Sequence, residues 1–252
     1  MVLAKDTSPT ASTTEPQPQP QPEPSDKQID ELSLEQIADQ LGISLPPTDL
    51  YSDEPELESD LHLRQIFLLI ASLEWLWQDR TDFYTSGNLT VYFSPKQLKS
   101  RDFRGPDFLV VLDTERRPRK SWTVWEEKGK YPNVIVEILS DSTATVDRTT
   151  KKQLYQDTFR TPEYFWFDPI SLEFAGFVLL AGKYEPITPN EEGQLWSQQL
   201  DLFIGIHDSK LRYFQADGTL VLSPEEAAQA EQQKNERLAE RLRALGVDPE
   251  TV

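Results

Sequence analysis

The clearest periodic pattern in the sequence lies between residues 60 and 78. Apolar side chains recur there every three or four positions, the spacing that places them on one face of an α-helix. The pattern therefore predicts one long, mostly buried helix. Its apolar positions are Leu61, Ile66, Leu69, Ile70, Leu73, Leu76 and Trp77.

Short apolar runs bounded by turn residues predict β-strands further along the chain. The run at residues 134–139 gives the strongest prediction, because Pro132 precedes it and Ser, Asp and Thr residues follow it. A helix is predicted from Asp147, which can cap it, to about Phe159, and Pro162 ends it. The other predicted strands cover residues 90–93, 108–112, 122–125 and 164–167.

The last third of the chain carries turn signals and then a polar helix. Gly182-Lys183 and Asp217-Gly218 indicate hairpins between short strands. Pro224 at the first helical position and Gly246 just past the end predict a helix over residues 225–245. Helices therefore flank a group of strands, and we predict an α/β (mixed α+β) fold with a mixed central sheet.

Composition divides the chain into four segments. Residues 1–28 are rich in Pro and Gln and cannot bury enough apolar area to offset the entropy of ordering, so a disordered tail is predicted. Residues 29–49 are predicted to form a short helical linker. The compact domain is expected over residues 50–222, and the polar C-terminal helix over residues 223–252.

The absence of cysteine excludes disulfides, thiolate zinc sites and cysteine nucleophiles. The first residues show no basic region leading into an apolar one, as a secretory signal would. The longest apolar stretch, at residues 66–71, is too short to cross a bilayer. We therefore expect a cytoplasmic protein with no membrane partner.

The net charge of −18 at first disfavours a polyanionic partner, because nucleic-acid-binding domains are usually basic. The acidic residues are concentrated towards the ends of the chain. Residues 1–58 carry 13 acidic and 2 basic side chains, whereas residues 100–160 carry 10 acidic and 12 basic ones. The middle of the chain is therefore compatible with binding to DNA.

Two carboxylates in this middle segment suggest a metal site. Glu137 interrupts an otherwise apolar strand, where an unneutralised charge would be costly. Side chains alternate along a strand, so it shares a face with Ile135 and Leu139. Asp107 stands at the start of a second apolar strand, and two such carboxylates can hold a hard cation such as Mg²⁺. Taken alone, Asp107 is explained equally well by a capped strand end or a buried ion pair.

A lysine on the predicted helix adds to this pattern. Lys151 and Tyr155 are four residues apart and so share a helix face, with Asp147 four residues before them. A lysine beside the strand carrying Glu137 could orient a water nucleophile and help to neutralise a phosphate. The alternative is that Lys151 and Lys152 are ordinary solvated surface lysines.

Together these residues resemble a known nuclease motif. Pro106-Asp107 followed by Glu137-Ile138-Leu139 is similar to the P-D…(D/E)-x-K motif of metal-dependent nucleases, with Leu139 in place of the usual lysine. The wider set is Glu137–Ser140, Ser142-Thr143, Asp147, Lys151, Tyr155 and Glu163–Pro169, and it resembles the Uma-type restriction endonuclease family over about residues 50–210.

The resemblance implies a restriction-endonuclease-like fold and a Mg²⁺- or Mn²⁺-dependent endonuclease acting on DNA. In that branch the lysine moves from the strand to the following helix, where Lys151 stands. Asp107, Glu137 and the backbone carbonyl of Ile138 are expected to bind the metal.

Further roles are expected for residues around this set. Glu58 is a candidate further ligand and His62 a candidate phosphate contact, although a helix N-terminal carboxylate and a structural hydrogen bond explain them equally well or better. Asp147 and Tyr155 are expected to assist the site. The candidate contacts to the DNA backbone are Arg101, Arg104, Arg148 and Lys152.

A second hypothesis is a catalytically silent module that keeps the nuclease fold for binding or assembly. The acidic ends, the missing strand lysine and Asp141, where many members of the family carry proline, favour it. Residues 225–245 would then support a homodimer through a loose apolar stripe, although a solvated helix fits this polar segment at least as well. The stripe consists of Ala228, Leu238, Leu242 and Leu245.

Overall fold

A computed structural model describes residues 59–94, 105–140 and 147–246, together with Gln40, Gly42 and Asp248. The chain forms two compact units, Met1–Ser44 and Leu45–Val252. The helices and strands named here all belong to the second unit. The predicted tail, and the predicted linker except for Gln40 and Gly42, lie outside the described residues.

The second unit combines three helical segments with eleven strands in its described part. The helices are α1 (Asp60–Leu76), α2 (residues 147–159) and α3 (Pro224–Ala244). The strands are β1 (Phe83–Gly87), β2 (Val91–Tyr92), β3 (Phe108–Leu112), β4 (Trp122–Thr123), β5 (Val134–Ile138), β6 (Glu163–Phe167), β7 (Phe174–Leu180), β8 (Lys183–Pro186), β9 (Leu195–Ser197), β10 (Leu202–His207) and β11 (Lys210–Phe214).

A six-stranded mixed sheet forms the centre, in the order β1-β3-β5-β6-β7-β8. Strands β5 and β6 are parallel, and the other neighbours in this sheet are antiparallel. A second sheet has the order β11-β10-β9, and β2 pairs with β4 in parallel. The predicted mixed central sheet flanked by helices is confirmed.

Strand alternation divides the core between the two faces of the central sheet. Val134, Val136 and Ile138 point to the face covered by α1, together with Leu69 and Leu73. Ile135 points to the opposite face, where the aromatic rings of α2 pack. A fully buried leucine or valine contributes about 1.5–3 kcal/mol, so the alternation of β5 is strongly fixed. Glu137 necessarily shares the α2 face with Ile135.

Helix α1 is held at its start and along its length by polar side chains. The Ser59 hydroxyl caps it by accepting the His62 backbone N–H at 3.1 Å. Gln65 donates to the Leu211 carbonyl and accepts from the Leu211 N–H, both at 3.0 Å. Its side-chain amide therefore satisfies the backbone groups of Leu211 as a neighbouring strand would.

Several predicted elements agree with the structure. The strand at residues 108–112 has the predicted bounds, and the long first helix ends two residues early, at Leu76. Gly182 and Gly218 adopt positive φ angles in the predicted turns. The C-terminal helix starts with a full capping box between Ser223 and Glu226.

Three predictions were wrong in part. Strand β1 was missed, because Phe83–Gly87 ends in Ser-Gly and gains its regular structure from pairing with β3. The strand predicted at residues 122–125 covers only Trp122–Thr123, and turns follow it. Segment α2 is largely π-helical, with π turns at Asp147–Lys151 and Tyr155–Phe159 around the α-helical Lys152–Leu154.

The described part of the chain contains no helix that is both long enough and apolar enough to cross a membrane.

Candidate active site

The register of β3 and β5 brings Asp107 to Glu137. The two strands are antiparallel with Phe108 opposite Val136, so the next position along places Asp107 opposite Glu137. The Asp107 backbone N–H donates to Glu137 Oε2 at 3.3 Å, and the Ile138 N–H donates to Asp107 Oδ2 at 2.8 Å. Two carboxylates thirty residues apart in sequence therefore meet where β3 begins and β5 ends.

Glu137 is fully buried, with no exposed side-chain surface. Its Oε1 accepts the Tyr155 hydroxyl at 2.6 Å, and its Oε2 lies 3.0 Å from Lys151 Nζ. Burying a carboxylate is costly unless a cation and hydrogen bonds compensate for the lost water. Lys151 and Tyr155 supply this compensation.

Segment α2 places both Lys151 and Tyr155 beside Glu137. Its last turn closes through a bond from the Arg160 N–H to the Tyr155 carbonyl, five residues earlier, and Arg160 then ends the segment in a left-handed conformation. Such π turns are rare and often occur at functional sites. Lys151 and Tyr155 still point the same way, as predicted from their spacing, because both contact Glu137.

Asp107 is held as an anion. Burial by itself would raise the pKa of its carboxyl group, but His62 and the charge of Lys151 outweigh burial and lower this pKa below its ordinary value. His62 Nε2 lies 3.2 Å from Asp107 Oδ1. Burial and the neighbouring Glu137 raise the pKa of Tyr155 well above its ordinary value, so this hydroxyl stays protonated and donates.

The donor set fits a hard divalent cation. Within one strand the N–H and C=O of a residue point to the same neighbour, so the Ile138 carbonyl faces β3, as its N–H does. Two carboxylates and this carbonyl are oxygen ligands of the kind Mg²⁺ prefers, and Mg²⁺ usually keeps several waters. No group of three or more Asp, Glu, His or Cys side chains placed to hold a metal occurs among the described residues. A cation here would therefore use few protein ligands.

The remaining predicted residues lie apart from this centre or outside the described ranges. The Arg148 guanidinium is bound to Glu173 at 2.6 Å, and the Lys152 ammonium lies 3.3 Å from the centre of the Phe177 ring. Asp147 is the first residue of α2, and its side chain is not among those described. Glu58, Arg101 and Arg104 lie outside the described residues.

Two features of the site were missed from the sequence. Trp166 lies next to Glu137, because β5 and β6 pair in parallel with these two residues in register. Asp107 Oδ2 also binds the Ile138 N–H, which ties the two strands together at the site. The aromatic run at residues 164–167 predicted a strand containing Trp166, but it did not indicate which residue lies beside it. Asp168, at the end of that run, accepts the Ile170 and Ser171 N–H groups and closes the turn after β6.

Comparison with known proteins shows the family of this chain. Comparison with curated proteins gave no match. The chain is similar to a solved structure described as a putative nuclease belonging to DUF820 from Anabaena variabilis, with 12% sequence identity, 58% of this chain and 76% of that chain covered, and a TM-score of 0.43. The profile of the Uma2 family, described as "Putative restriction endonuclease", matches residues 50–209. This match spans more than half of the sequence and includes Asp107, Glu137 and Lys151, so the chain belongs to the Uma2 family of putative restriction endonucleases.

Proposed function

We propose that this protein is a metal-dependent endonuclease that hydrolyses DNA phosphodiester bonds, with Asp107, Glu137 and Lys151 as its catalytic residues. The observation that carries the proposal is the buried Glu137 carboxylate, which lies beside Asp107 and is contacted by Lys151 at 3.0 Å. The two carboxylates supply oxygen ligands of the kind that a hard divalent cation prefers. Membership in the Uma2 family supports the same chemistry.

Each residue of the candidate site has a defined role in this proposal. Asp107, Glu137 and the Ile138 carbonyl would hold Mg²⁺ or Mn²⁺. The cation, when bound, supplies Lewis-acid polarisation of the phosphate and stabilisation of developing charge. Lys151 Nζ orients the attacking water and neutralises phosphate charge. The oxygen of the water bonds to phosphorus and releases a proton to solvent. The bond from phosphorus to the leaving sugar oxygen breaks with its electron pair on that oxygen, which takes up a proton from solvent.

Two further residues position the carboxylates. Tyr155 fixes Oε1 of Glu137, which leaves Oε2 turned towards Lys151 and Asp107. His62 Nε2, 3.2 Å from Asp107 Oδ1, orients that carboxylate. We keep Arg101 and Arg104 as proposed contacts to the DNA backbone, and Glu58 as a proposed further ligand.

Cleavage of supercoiled plasmid and of circular single-stranded DNA, in Mg²⁺ or Mn²⁺ and in EDTA, tests the proposal. Lys151→Ala and Glu137→Gln should abolish metal-dependent cleavage while the protein stays folded by circular dichroism. Lys183→Ala is the matched lysine control, because Lys183 is an exposed residue of β8. Glu163→Gln controls for the loss of a buried carboxylate, because Glu163 binds Ser197 and the Gln198 N–H instead of the site. Full activity in folded Lys151→Ala would overturn the assignment.

A silent binding or assembly module is the second candidate, favoured by one observation on α3. This helix of 21 residues buries none of its side chains, and Leu238 and Leu245 are 51% and 72% exposed. Such a stripe could join two copies of the chain. Calorimetric titration with Mg²⁺ and Mn²⁺ separates the two candidates, because a protein that binds neither ion cannot be the proposed nuclease. Light scattering of the full chain would show whether a homodimer forms.

A further inference from the structure

The indole of Trp166 stands beside the catalytic carboxylates on the same face of the sheet. Strands β5 and β6 pair in parallel with Glu137 in register with Trp166, and neighbouring strands lie about 4.8 Å apart. Phe165 and Phe167, on either side, are fully buried on the opposite face, whereas Trp166 is only half-buried. A large aromatic side chain is therefore partly open to solvent one strand away from Glu137.

Small or solvent-exposed side chains surround Trp166. Its neighbour in register on β7 is Ala175, whose methyl group occupies little space beside the indole. The Arg148 guanidinium lies 4.4 Å from the centre of the Trp166 ring and is held by Glu173 at 2.6 Å. The Arg148 and Glu173 side chains are 39% and 57% exposed. Because exposed ion pairs contribute little to stability, a ligand can displace the Arg148 side chain from the ring.

Phe177 is a second aromatic ring with a cation from α2 above it. Phe177 of β7 lies on the α2 face, and Lys152 Nζ lies 3.3 Å from the centre of its ring. Arg148 and Lys152 both come from α2, the segment that also supplies Lys151. Aromatic rings combined with cations are typical of surfaces that bind single-stranded nucleic acid, where bases stack on the rings and cations meet the phosphates.

We propose that Trp166 is a stacking platform for an unpaired nucleobase, so that the site takes single-stranded or locally unpaired DNA. This inference rests on the proposed function, which puts a phosphate at Asp107, Glu137 and Lys151. A nucleotide whose phosphate lies there can place its base on the neighbouring strand, over Trp166. Bases inside a duplex are stacked on each other and cannot offer this face unless they are unpaired or flipped out. Arg148 moves off the ring or stacks on the far side of the base.

Binding measured by fluorescence anisotropy in EDTA tests the proposal without any need for cleavage. The probes are a labelled single strand, the same sequence as a duplex, and a strand of equal length whose central nucleotides lack bases. Stacking is worth about 1–3 kcal/mol per base, so Trp166→Leu should weaken single-strand binding about 5- to 150-fold. Its binding to the duplex and to the abasic strand should stay as in the parent protein.

Two further variants guard against a trivial loss of folding. Trp166→Phe keeps an aromatic ring and should bind the single strand with an affinity between those of the parent and Trp166→Leu. Trp75→Leu, which removes an exposed tryptophan from α1, should bind as the parent does. Equal losses on the normal and abasic strands would overturn the proposal, as would a parent protein with no preference for single strands or no binding to them.

The outcomes separate this inference from the proposed function. If the parent protein cleaves DNA but shows no dependence of binding on Trp166, the nuclease assignment stands and the stacking platform is refuted. If single strands bind through Trp166 and no metal supports cleavage, the platform stands and the nuclease assignment is refuted.

Discussion

The ion pair between Lys151 and Glu137 yields an asymmetric prediction about stability. Lys151→Met removes the cation but leaves Glu137 with no exposed surface and Asp107 close by. Breaking a buried pair from one side costs about 3–5 kcal/mol. Glu137 keeps its bonds from the Tyr155 hydroxyl and the Asp107 N–H, so we expect a loss near the lower end, about 3 kcal/mol.

The opposite single substitution should be milder. In Glu137→Gln the Lys151 ammonium loses its partner, but its side chain is 15% exposed and can turn towards water. We expect a loss of about 1–2 kcal/mol. In Lys151→Met with Glu137→Gln no charge is left without compensation, and methionine replaces most of the lysine stem. The double variant should therefore be more stable than Lys151→Met alone, with a coupling of about 2 kcal/mol.

Urea unfolding followed by tryptophan fluorescence, in EDTA at pH 7.5, measures the four free energies of this cycle. The pair Arg64–Asp60 is the control, because its N–O distance of 2.6 Å is shorter but both side chains are more than 70% exposed. That cycle should show no measurable coupling, since solvent screens exposed pairs. A Lys151/Glu137 double variant no more stable than Lys151→Met would refute the reasoning that burial of Glu137, and not distance, sets the energy.

Three further predictions follow from individual contacts. Tyr155→Phe keeps the buried ring but removes the 2.6 Å bond to Glu137, so urea unfolding should show a loss of about 1.5–3 kcal/mol, and a loss under about 0.5 kcal/mol would contradict the contact. Gly87→Ala should lower the thermal midpoint and reduce metal binding by calorimetry, because a Cβ there would clash with Ile66 and lie 3.0 Å from the Asp107 carbonyl oxygen; an unchanged midpoint would contradict this. The hydrogen bond from Arg212 lowers the pKa of Glu226 in the folded protein below its ordinary value of 4.5. The ionised pair therefore stabilises the fold above about pH 4.5, and this stabilisation is lost as the pH falls through the lower pKa of the folded state. Between pH 6 and pH 3, the thermal midpoint of Glu226→Gln should therefore fall less than that of the parent protein. Equal falls in the two midpoints would contradict this pH dependence.

Much of the arrangement around Glu137 was accessible from sequence because its signals are local. A single carboxylate within an apolar strand identified Glu137, since alternation along a strand is fixed by backbone geometry. The spacing of four between Lys151 and Tyr155 put both on one helix face, and both contact Glu137 in the structure. The π turns do not disturb this prediction, because the short α-helical stretch between them keeps the two side chains on the same side.

Other features depend on pairings between distant residues, which no local pattern specifies. Phe83–Gly87 becomes a strand through its pairing with β3, and its sequence alone resembles a turn. Arg148 and Lys152 are candidate phosphate contacts from the sequence, and only the sheet shows that they lie over the Trp166 and Phe177 rings. The choice of partner, direction and register is made by packing across the whole sheet, since a one-residue slip would move every side chain to the other face.

The sequence by itself thus indicated that Glu137 carries a carboxylate into the core and which helix supplies the lysine beside it. Only the tertiary structure decided that Asp107 stands opposite Glu137 in an antiparallel pair, with Trp166 on the next strand in a parallel one. The physical reason is that the periodicity of a strand or helix fixes the direction of a side chain within its own element. The neighbour that it meets depends on how the elements bury their apolar faces together.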